Sequence, residues 1–196
     1  MKPMRDVAVS YLERSREVVD AAISNPTFID TMLSMTETIA SSMQARGKLL
    51  TCGNGGSAGD AQHIAGEFIS RLNYDRAPLA AVALTTDSSV LTAVGNDYGY
   101  EHVFERQVRG LGQRGDVLLA ISTSGKSPSI LSAMRAAREH GLTVLAFTGK
   151  TGGNIPPLAD LTLHAPSDST PLIQQVHIMA AHIVCGLVEQ RLFPKP

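Results

Sequence analysis

Five short apolar runs alternate along this chain with longer segments whose apolar residues recur at helical spacing. Short apolar runs bounded by turn residues are typical of buried strands, and strands that alternate with helices form a parallel sheet covered on both faces. The alternation therefore predicts an α/β fold, a three-layer α-β-α sandwich around a five-stranded parallel sheet. The predicted strands are 48–52, 79–84, 116–121, 143–148 and 161–164.

Seven further segments carry the helical pattern. Asn25-Pro26 separates the first two, since a proline seldom continues a helix. The long apolar helices near the two ends exceed what one small sheet needs for cover, which predicts that they pack against other subunits. The predicted helices are 7–22, 28–43, 57–72, 88–94, 102–111, 130–140 and 171–193.

No repeat or Ser/Pro-rich linker interrupts this pattern, so we expect residues 1–196 to form a single domain. We expect N-terminal helices at about 4–46, a sheet core at about 48–166 and a C-terminal helix at about 171–193. Hydrophobic residues make up 43% of the chain, enough for a sizeable core and too many for a disordered protein.

Charge and cysteine content narrow the possible partners and the compartment. The 17 basic and 18 acidic residues give a net charge of −1 without a long run of either sign, which offers no basic patch for nucleic acid. The longest apolar stretches, 77–84 and 178–188, are too short to span a bilayer, and no secretory h-region follows the first residues. Cys52 and Cys185 fit a reducing compartment. We therefore expect a cytoplasmic protein that binds neither nucleic acid nor membrane.

The loop after the first predicted strand is built from small residues, Gly53-Asn-Gly-Gly-Ser-Ala-Gly59. Ligands of parallel sheets bind at the carboxyl ends of strands, and glycine-rich turns leave backbone N–H groups open to an anion. Ser57 is predicted to cap the next helix, with Asp60 three residues on. A tight strand-to-helix turn without a ligand explains the same residues.

The same loop also matches a dinucleotide-binding pattern through Gly53, Gly55 and Ala58. That pattern needs an acidic residue at the end of the second strand. Asp75 precedes the second strand and Asp87 comes too late in the chain, so a nicotinamide cofactor is disfavoured.

The loop after the third predicted strand, Ser122-Thr-Ser-Gly-Lys-Ser127, offers several hydroxyl groups to an anion. Ser127 suits the N-cap of the next helix and Pro128 its first position, and a phosphate at a helix start gains from free N–H groups and the helix dipole. A Walker A motif is excluded because residue 120, where its first glycine belongs, is alanine. A capped helix without a ligand remains the alternative.

Polar residues on two predicted helices are candidates for the chemistry. His63 and Glu67 share a helix face, and Gln174, His177 and His182 lie on the C-terminal helix. A lone histidine on an apolar helix is usually a core residue. Imidazole and carboxylate groups together can instead bind zinc or act as an acid and a base.

These segments together resemble the sugar isomerase (SIS) domain and, within it, the phosphoheptose isomerase family, over essentially the whole chain. The resemblance rests on the two loops, on Gly95-Asn-Asp-Tyr-Gly99, on the His63/Glu67 pair and on Gln174 with His182. It implies a flavodoxin-like SIS fold and an isomerase that converts D-sedoheptulose 7-phosphate to D-glycero-D-manno-heptose 7-phosphate through a cis-enediol(ate). That reaction is the first step toward the heptose of lipopolysaccharide or capsule. The family also implies a cytoplasmic homotetramer with active sites between subunits, and zinc in some members.

The resemblance assigns roles residue by residue. It implies Glu67 and His182 as the catalytic pair, although a carboxylate that binds metal is a poorer base. A phosphate site is implied at Ser122, Thr123, Ser124 and Ser127, and a sugar site at Asn54, Gly55, Gly56, Asn96 and Asp97 with Glu67 and Gln174. The implied zinc ligands are His63, Glu67, Gln174 and His182. Asp60 and Asp168 are further candidates, and residues 166–170 match the family least well.

The implied ligand set poses a geometric question. Gln174 and His182 are eight residues apart, which separates their Cα atoms by about 12 Å along one helix and turns them about 80° around it. Either an ion lies between those two turns and is closed by His63 and Glu67, or a neighbouring subunit supplies His182. The spacing leaves both open, and the apolar C-terminal helix favours the shared site.

Two other classes are compatible with an SIS domain. A non-catalytic tetramer that binds the bacterial replication initiator could keep both loops, but it has no need of Glu67 and His182. A sugar-phosphate-sensing regulator usually adds a DNA-binding domain, for which this chain has neither length nor charge. We therefore favour the interpretation that this chain is an enzyme over these two classes.

Overall fold

The structure is a computed structural model that describes residues 3–195. Five parallel strands form one sheet, so the predicted α/β fold with a five-stranded parallel sheet is confirmed. The strand predicted over 79–84 is shortened to three residues at the edge of the sheet. The strands are β1 (Leu49–Gly53), β2 (Ala81–Ala83), β3 (Val117–Ser122), β4 (Thr143–Thr148) and β5 (Leu161–His164).

Seven α-helices surround the sheet within the described residues. The helix predicted over 57–72 starts one residue earlier and ends three residues earlier, and the one predicted over 102–111 divides into a 3₁₀ turn, Tyr100–His102, and a short α-helix. A second 3₁₀ turn spans Pro156–Leu158. The helices are α1 (Met4–Ile23), α2 (Pro26–Gln44), α3 (Gly56–Ile69), α4 (Ser88–Asp97), α5 (Glu105–Leu111), α6 (Pro128–Glu139) and α7 (Thr170–Leu192).

The strand order, β2-β1-β3-β4-β5, places the first and third strands side by side in the sheet. Gly53 at the end of β1 lies opposite Ile121 near the end of β3. The chain leaves these two strands toward opposite flanks, so a crevice opens between their carboxyl ends. Both loops singled out in the sequence therefore begin at that crevice.

Two hydrophobic clusters, one on each face of the sheet, make the three layers. Along β3, Val117, Leu119 and Ile121 contribute to the cluster that includes residues of α2, α3 and α7. Leu118 and Ala120 contribute to the opposite cluster, with residues of α4, α5 and α6. The alternation follows from the two-residue period of a strand, and it places the helices after β1 and β3 on opposite faces.

The two terminal helices differ in how much apolar surface they leave uncovered. Within residues 3–195, α7 is the one helix that is long and apolar enough to cross a membrane, but 56% of that stretch is buried against the chain's own core. The opposite holds for α1, which buries only Ala22 and leaves Leu12 68% exposed. Most of the spare apolar surface on the terminal helices therefore belongs to α1.

His177 is a structural residue of α7. Its imidazole is fully buried, Nε2 donates to the carbonyl oxygen of Thr148 at 3.1 Å, and its ring lies beside Phe147. Burial lowers the pKa of His177 to about 4, although the bond to Thr148 acts in the opposite direction. The imidazole is therefore neutral in the folded protein.

We predict that His177 makes the fold sensitive to mild acid. The unfolded chain binds a proton near pH 6.5 while the folded chain resists it until about pH 4. The contribution is therefore complete above pH 6.5 and is lost as the pH falls, by up to about 3 kcal/mol. His177→Gln keeps a donor that cannot ionise, so urea unfolding should show a flatter dependence between pH 6.5 and 4. Identical pH dependence in both proteins would contradict this role.

Candidate active site

A cavity of 290 Å³ lies in the crevice between the carboxyl ends of β1 and β3. It gathers eight of the residues predicted for the site: Asn54, Gly55, Gly56, Ser122, Thr123, Ser124, Ser127 and Gln174. Ser57, Ile121 and Thr170 complete the lining, and sequence reasoning had not assigned them to a ligand site. A larger cavity of 460 Å³ beside β2 shares none of these residues. Polar groups, rather than size, therefore distinguish the crevice.

The first loop turns directly from β1 into α3. Gly55 is the N-cap with φ of 56°, a left-handed conformation that glycine adopts without steric cost. The helix consequently begins before Ser57, which is buried in the first turn, so the prediction that Ser57 caps the helix is wrong. Asp60 does not complete a capping box either. Its Oδ2 atom is buried without a hydrogen-bond partner in the described part of the chain.

The amide of Asn54 is held from both sides. Nδ2 donates to Ser129 Oγ at 3.0 Å, and Oδ1 accepts from the Tyr100 hydroxyl at 2.9 Å. These contacts join the first loop to α6 and to the turn that follows α4. Tyr100 is 46 residues away from Asn54 in sequence, and only its place next to the Gly95-to-Gly99 motif could have drawn attention to it.

Asn96 and Asp97 lie at the C-terminal end of α4 and are exposed. Asn96 Nδ2 donates to Asp97 Oδ1 at 2.7 Å, and neither residue lines the cavity between the loops. Their assignment to the sugar site therefore stays a prediction.

The second loop leads from β3 into α6. Ser127 is the N-cap and Pro128 occupies the first turn, as predicted, but the Ser127 side chain makes no capping hydrogen bond. Gly125 takes φ of 63°, and a side chain there would overlap the carbonyl of Gly152. Ser127 lines the cavity as the N-cap residue of α6, and a hydroxyl group beside a helix N-terminus suits a phosphate.

His63, Glu67 and His182 form a cluster of ligand atoms that all lie within 4.8 Å of one another. His63 Nε2 is 3.1 Å from Glu67 Oε1 and 2.8 Å from His182 Nε2. His182 comes from α7 of the same chain, so one chain can bring the three side chains together, and the shared intersubunit site stays a prediction. The cluster arises because α3 and α7 pack against the same face of the sheet.

The donor set of this cluster fits a divalent cation. Two ring nitrogens at 2.8 Å, with a carboxylate beside them, need a shared proton or a cation between them. Two imidazoles and one carboxylate are ligands that zinc takes. Gln174, the fourth predicted ligand, lies two helical turns before His182 and packs its side-chain amide against Gly56 in the cavity lining.

The two further acidic candidates have different surroundings. Burial raises the pKa of Asp60, with the nearby His63 acting in the opposite direction. Asp168 lines a smaller cavity of 170 Å³ together with Lys126 and Lys150, and that cavity shares Thr123 and Ser124 with the larger one. Asp168 therefore lies beside the second loop rather than beside the cluster of histidines.

Three comparisons place these features among known proteins. A family model described as an SIS domain matches residues 10–149. A curated relative from Burkholderia pseudomallei (strain 1710b), named phosphoheptose isomerase, is 52% identical over 196 residues, which cover 98% of this chain and 100% of the relative.

Two solved structures share the whole architecture. The phosphoheptose isomerase GmhA from Neisseria gonorrhoeae superposes with a TM-score of 0.90 at 40% identity, covering 96% of this chain and 100% of that one. A phosphoheptose isomerase from Francisella tularensis gives a TM-score of 0.92 at 35% identity, with the same two coverages.

We predict that Ser127→Ala weakens the binding of inorganic phosphate without weakening the fold. The hydroxyl makes no capping bond, so its loss removes only a ligand contact. A hydrogen bond to a charged group is worth about 1.5–3 kcal/mol, or about a tenfold to hundredfold loss of affinity. Calorimetric titration with phosphate and a thermal melt measure the two effects.

Ser169→Ala is the matched control. Ser169 is the N-cap residue of α7, its side chain makes no capping hydrogen bond, and it does not line the cavity. It should leave phosphate affinity unchanged. If the Ser127→Ala protein melts at a lower temperature but binds phosphate normally, the second loop only caps α6 and does not bind phosphate.

Proposed function

Because this chain belongs to the phosphoheptose isomerase family of SIS-domain proteins, we propose that the crevice between β1 and β3 isomerises D-sedoheptulose 7-phosphate. The product is D-glycero-D-manno-heptose 7-phosphate, the first intermediate toward the heptose of lipopolysaccharide or capsule. Two observations carry the proposal: hydroxyl-rich and glycine-rich loops line one cavity, and an acid–base cluster lies on α3, which begins at that cavity, and on α7, which contributes Gln174 to its lining.

The phosphate group binds at the second loop. Backbone N–H groups at the start of α6 point to the ligand, and the helix dipole favours negative charge there. Ser122, Thr123, Ser124 and Ser127 supply hydroxyl groups from one short segment of the cavity lining. Fixing the phosphate at one end of an extended sugar places the carbonyl end at a set distance from it.

Glu67 is the base that moves the proton between the two carbons. Its carboxylate takes a proton from C1, which gives a cis-enediol(ate), and returns that proton to C2. The side chain is only 17% exposed, and its Oε1 atom faces His63, which leaves Oε2 for the substrate. Partial burial limits exchange of the proton with water.

His182 moves protons on the oxygens. In the same reaction O2 gains a proton and O1 loses one, and an imidazole can both donate and accept a proton. The 2.8 Å approach of His63 Nε2 fixes the position of the His182 ring. His63 therefore acts on the substrate through its two neighbours.

Zinc is the proposed cation, with His63, Glu67, Gln174 and His182 as its ligands. A Glu67 or His182 side chain bound to it would be a poorer proton-transfer group, which is why the turnover assay compares zinc-loaded with chelator-treated protein. When bound, it polarises the substrate carbonyl as a Lewis acid. Gln174 also lines the cavity, so its amide can bind the sugar hydroxyls.

The protein works as a homotetramer in the cytoplasm, with active sites near subunit boundaries. Support for assembly comes from α1, whose residues Met4, Val7, Val9 and Leu12 are exposed. Burying apolar surface of this kind stabilises association by about 25 cal/mol per Å² before the costs of assembly. Two free, buried cysteines support a reducing compartment. The non-catalytic alternative leaves the His63/Glu67/His182 cluster without a role.

We predict that Glu67→Gln nearly abolishes turnover while phosphate still binds. Removing a general base costs about 10²–10⁴-fold in kcat. The assay is aldose formation from sedoheptulose 7-phosphate by zinc-loaded and by chelator-treated protein. Glu139→Gln, an exposed carboxylate at the end of α6, is the control and should retain full activity. A residual rate above about a tenth in Glu67→Gln would move the carbon base elsewhere.

A second prediction concerns assembly. Leu12→Asp should dissociate the oligomer, since it places a charge in the apolar face of α1. The fold itself should persist because α1 buries only Ala22. Ser10 is also exposed and lies about 160° from Leu12 around the helix, so Ser10→Asp is the matched control. Sedimentation velocity reads the result, and an unchanged oligomer with Leu12→Asp would exclude this face from the interface.

A further inference from the structure

A buried ion pair lies just beyond the end of α3 and outside the cavity. Arg76 Nε is 3.2 Å from Glu189 Oε1, and the two side chains are 3% and 1% exposed. A buried pair of this kind gives little net stability compared with apolar residues of the same volume. The relative position of the elements that the pair joins is therefore a better explanation of the pair than stability.

Arg76 closes the C-terminal end of α3. Its guanidinium donates from Nη2 to the backbone carbonyl of Glu67 at 2.7 Å and from Nη1 to that of Phe68 at 2.7 Å and of Ser70 at 3.1 Å. The last carbonyls of a helix have no partner within it, and a positive charge there also complements the helix dipole. One of these carbonyls belongs to the proposed catalytic base itself.

Glu189 ties the same region to α7. Its carboxylate accepts from the backbone N–H groups of Leu72 at 3.1 Å and of Asn73 at 2.8 Å, in addition to Arg76. Glu189 lies seven residues after His182 on α7. Burial alone raises the pKa of Glu189, but these hydrogen bonds and the Arg76 charge outweigh it and hold the pKa below its usual value.

We propose that Arg76 and Glu189 are positioning residues that set α3 against α7 and thereby bring His63 and Glu67 into reach of His182. The pair fixes the end of α3 through the Glu67 carbonyl and fixes α7 through Glu189. A helix end free to fray or slide by one ångström changes the spacing of the three ligand atoms. The proposal rests on the proposed function for its kinetic consequence, but its consequence for metal binding stands apart.

Removal of the pair distinguishes positioning from stability. Glu189→Gln keeps the shape and removes the charge, and the double variant Arg76→Met with Glu189→Met replaces both charges by apolar side chains of similar length. Apolar replacement of a buried pair is often neutral or stabilising. The double variant also removes the partners of the Glu67, Phe68 and Ser70 carbonyls and of the Leu72 and Asn73 N–H groups, so we expect it to melt below the wild type. Affinities are therefore compared at a temperature at which both proteins are folded.

The experiment measures zinc affinity by competition with a chromophoric chelator, phosphate affinity by calorimetry, and kcat and KM separately. Residues that orient metal ligands usually change metal affinity by about 10–100-fold. We expect that loss in the double variant together with a lower kcat, while phosphate affinity and KM change by less than about threefold. Arg109→Met, which breaks the ion pairs of Arg109 with Glu105 and Glu139 on the other face of the sheet, should change none of these.

Each other outcome decides against the inference. A folded double variant with wild-type zinc affinity and kcat would make the pair merely structural, and equal losses of zinc and phosphate affinity would indicate general loosening. A wild-type protein that does not bind zinc would also overturn the proposal that the pair positions metal ligands. If the wild type binds zinc but does not isomerise sedoheptulose 7-phosphate, the proposed function fails while the zinc comparison still decides the role of the pair.

Discussion

The site depends on one topological constraint: β1 and β3 are neighbours in the sheet, and the helices that follow them cover opposite faces. Two parallel strands end at the same edge of the sheet, and the pairing of Gly53 with Ile121 brings the two loops to the same level. Both loops then turn into helix N-termini, α3 and α6, at the mouth of one crevice. The proposed anion site, with a cavity beside it, depends on backbone geometry before any side chain is considered.

The chemistry depends on a second, weaker set of contacts. The proposed phosphate loop is local, because six consecutive residues form it and glycine at 125 allows its close approach to the Gly152 carbonyl. The cluster of His63, Glu67 and His182 is not local, because it needs α3 and α7 in one relative position. Packing on the sheet brings the two helices together, and we propose that the contacts of Arg76 and Glu189 beyond α3 adjust their relative position.

What the sequence could predict follows the same division. The strands, the Ser127-Pro128 start of α6 and the His63/Glu67 face were predictable because each depends on residues within one turn or one strand. Ser57 was misplaced because Gly55 lets the helix begin earlier than side-chain preference indicates. His177 and His182 share an apolar helix, and only packing shows that one is buried under Thr148 and the other meets His63. Partners as distant as Tyr100 with Asn54 leave no periodic signal.

The central claim is that one crevice holds the phosphate and the reacting carbons of the same substrate at once. A crystal structure of the Glu67→Gln protein with sedoheptulose 7-phosphate tests it directly, because the sugar should bind without turning over. The account predicts phosphate oxygens within hydrogen-bond distance of the Ser127 hydroxyl and of the α6 N-terminus, with C1 and C2 next to residue 67. A phosphate bound away from the Ser122–Ser127 loop, or sugar carbons out of reach of residue 67, would contradict it.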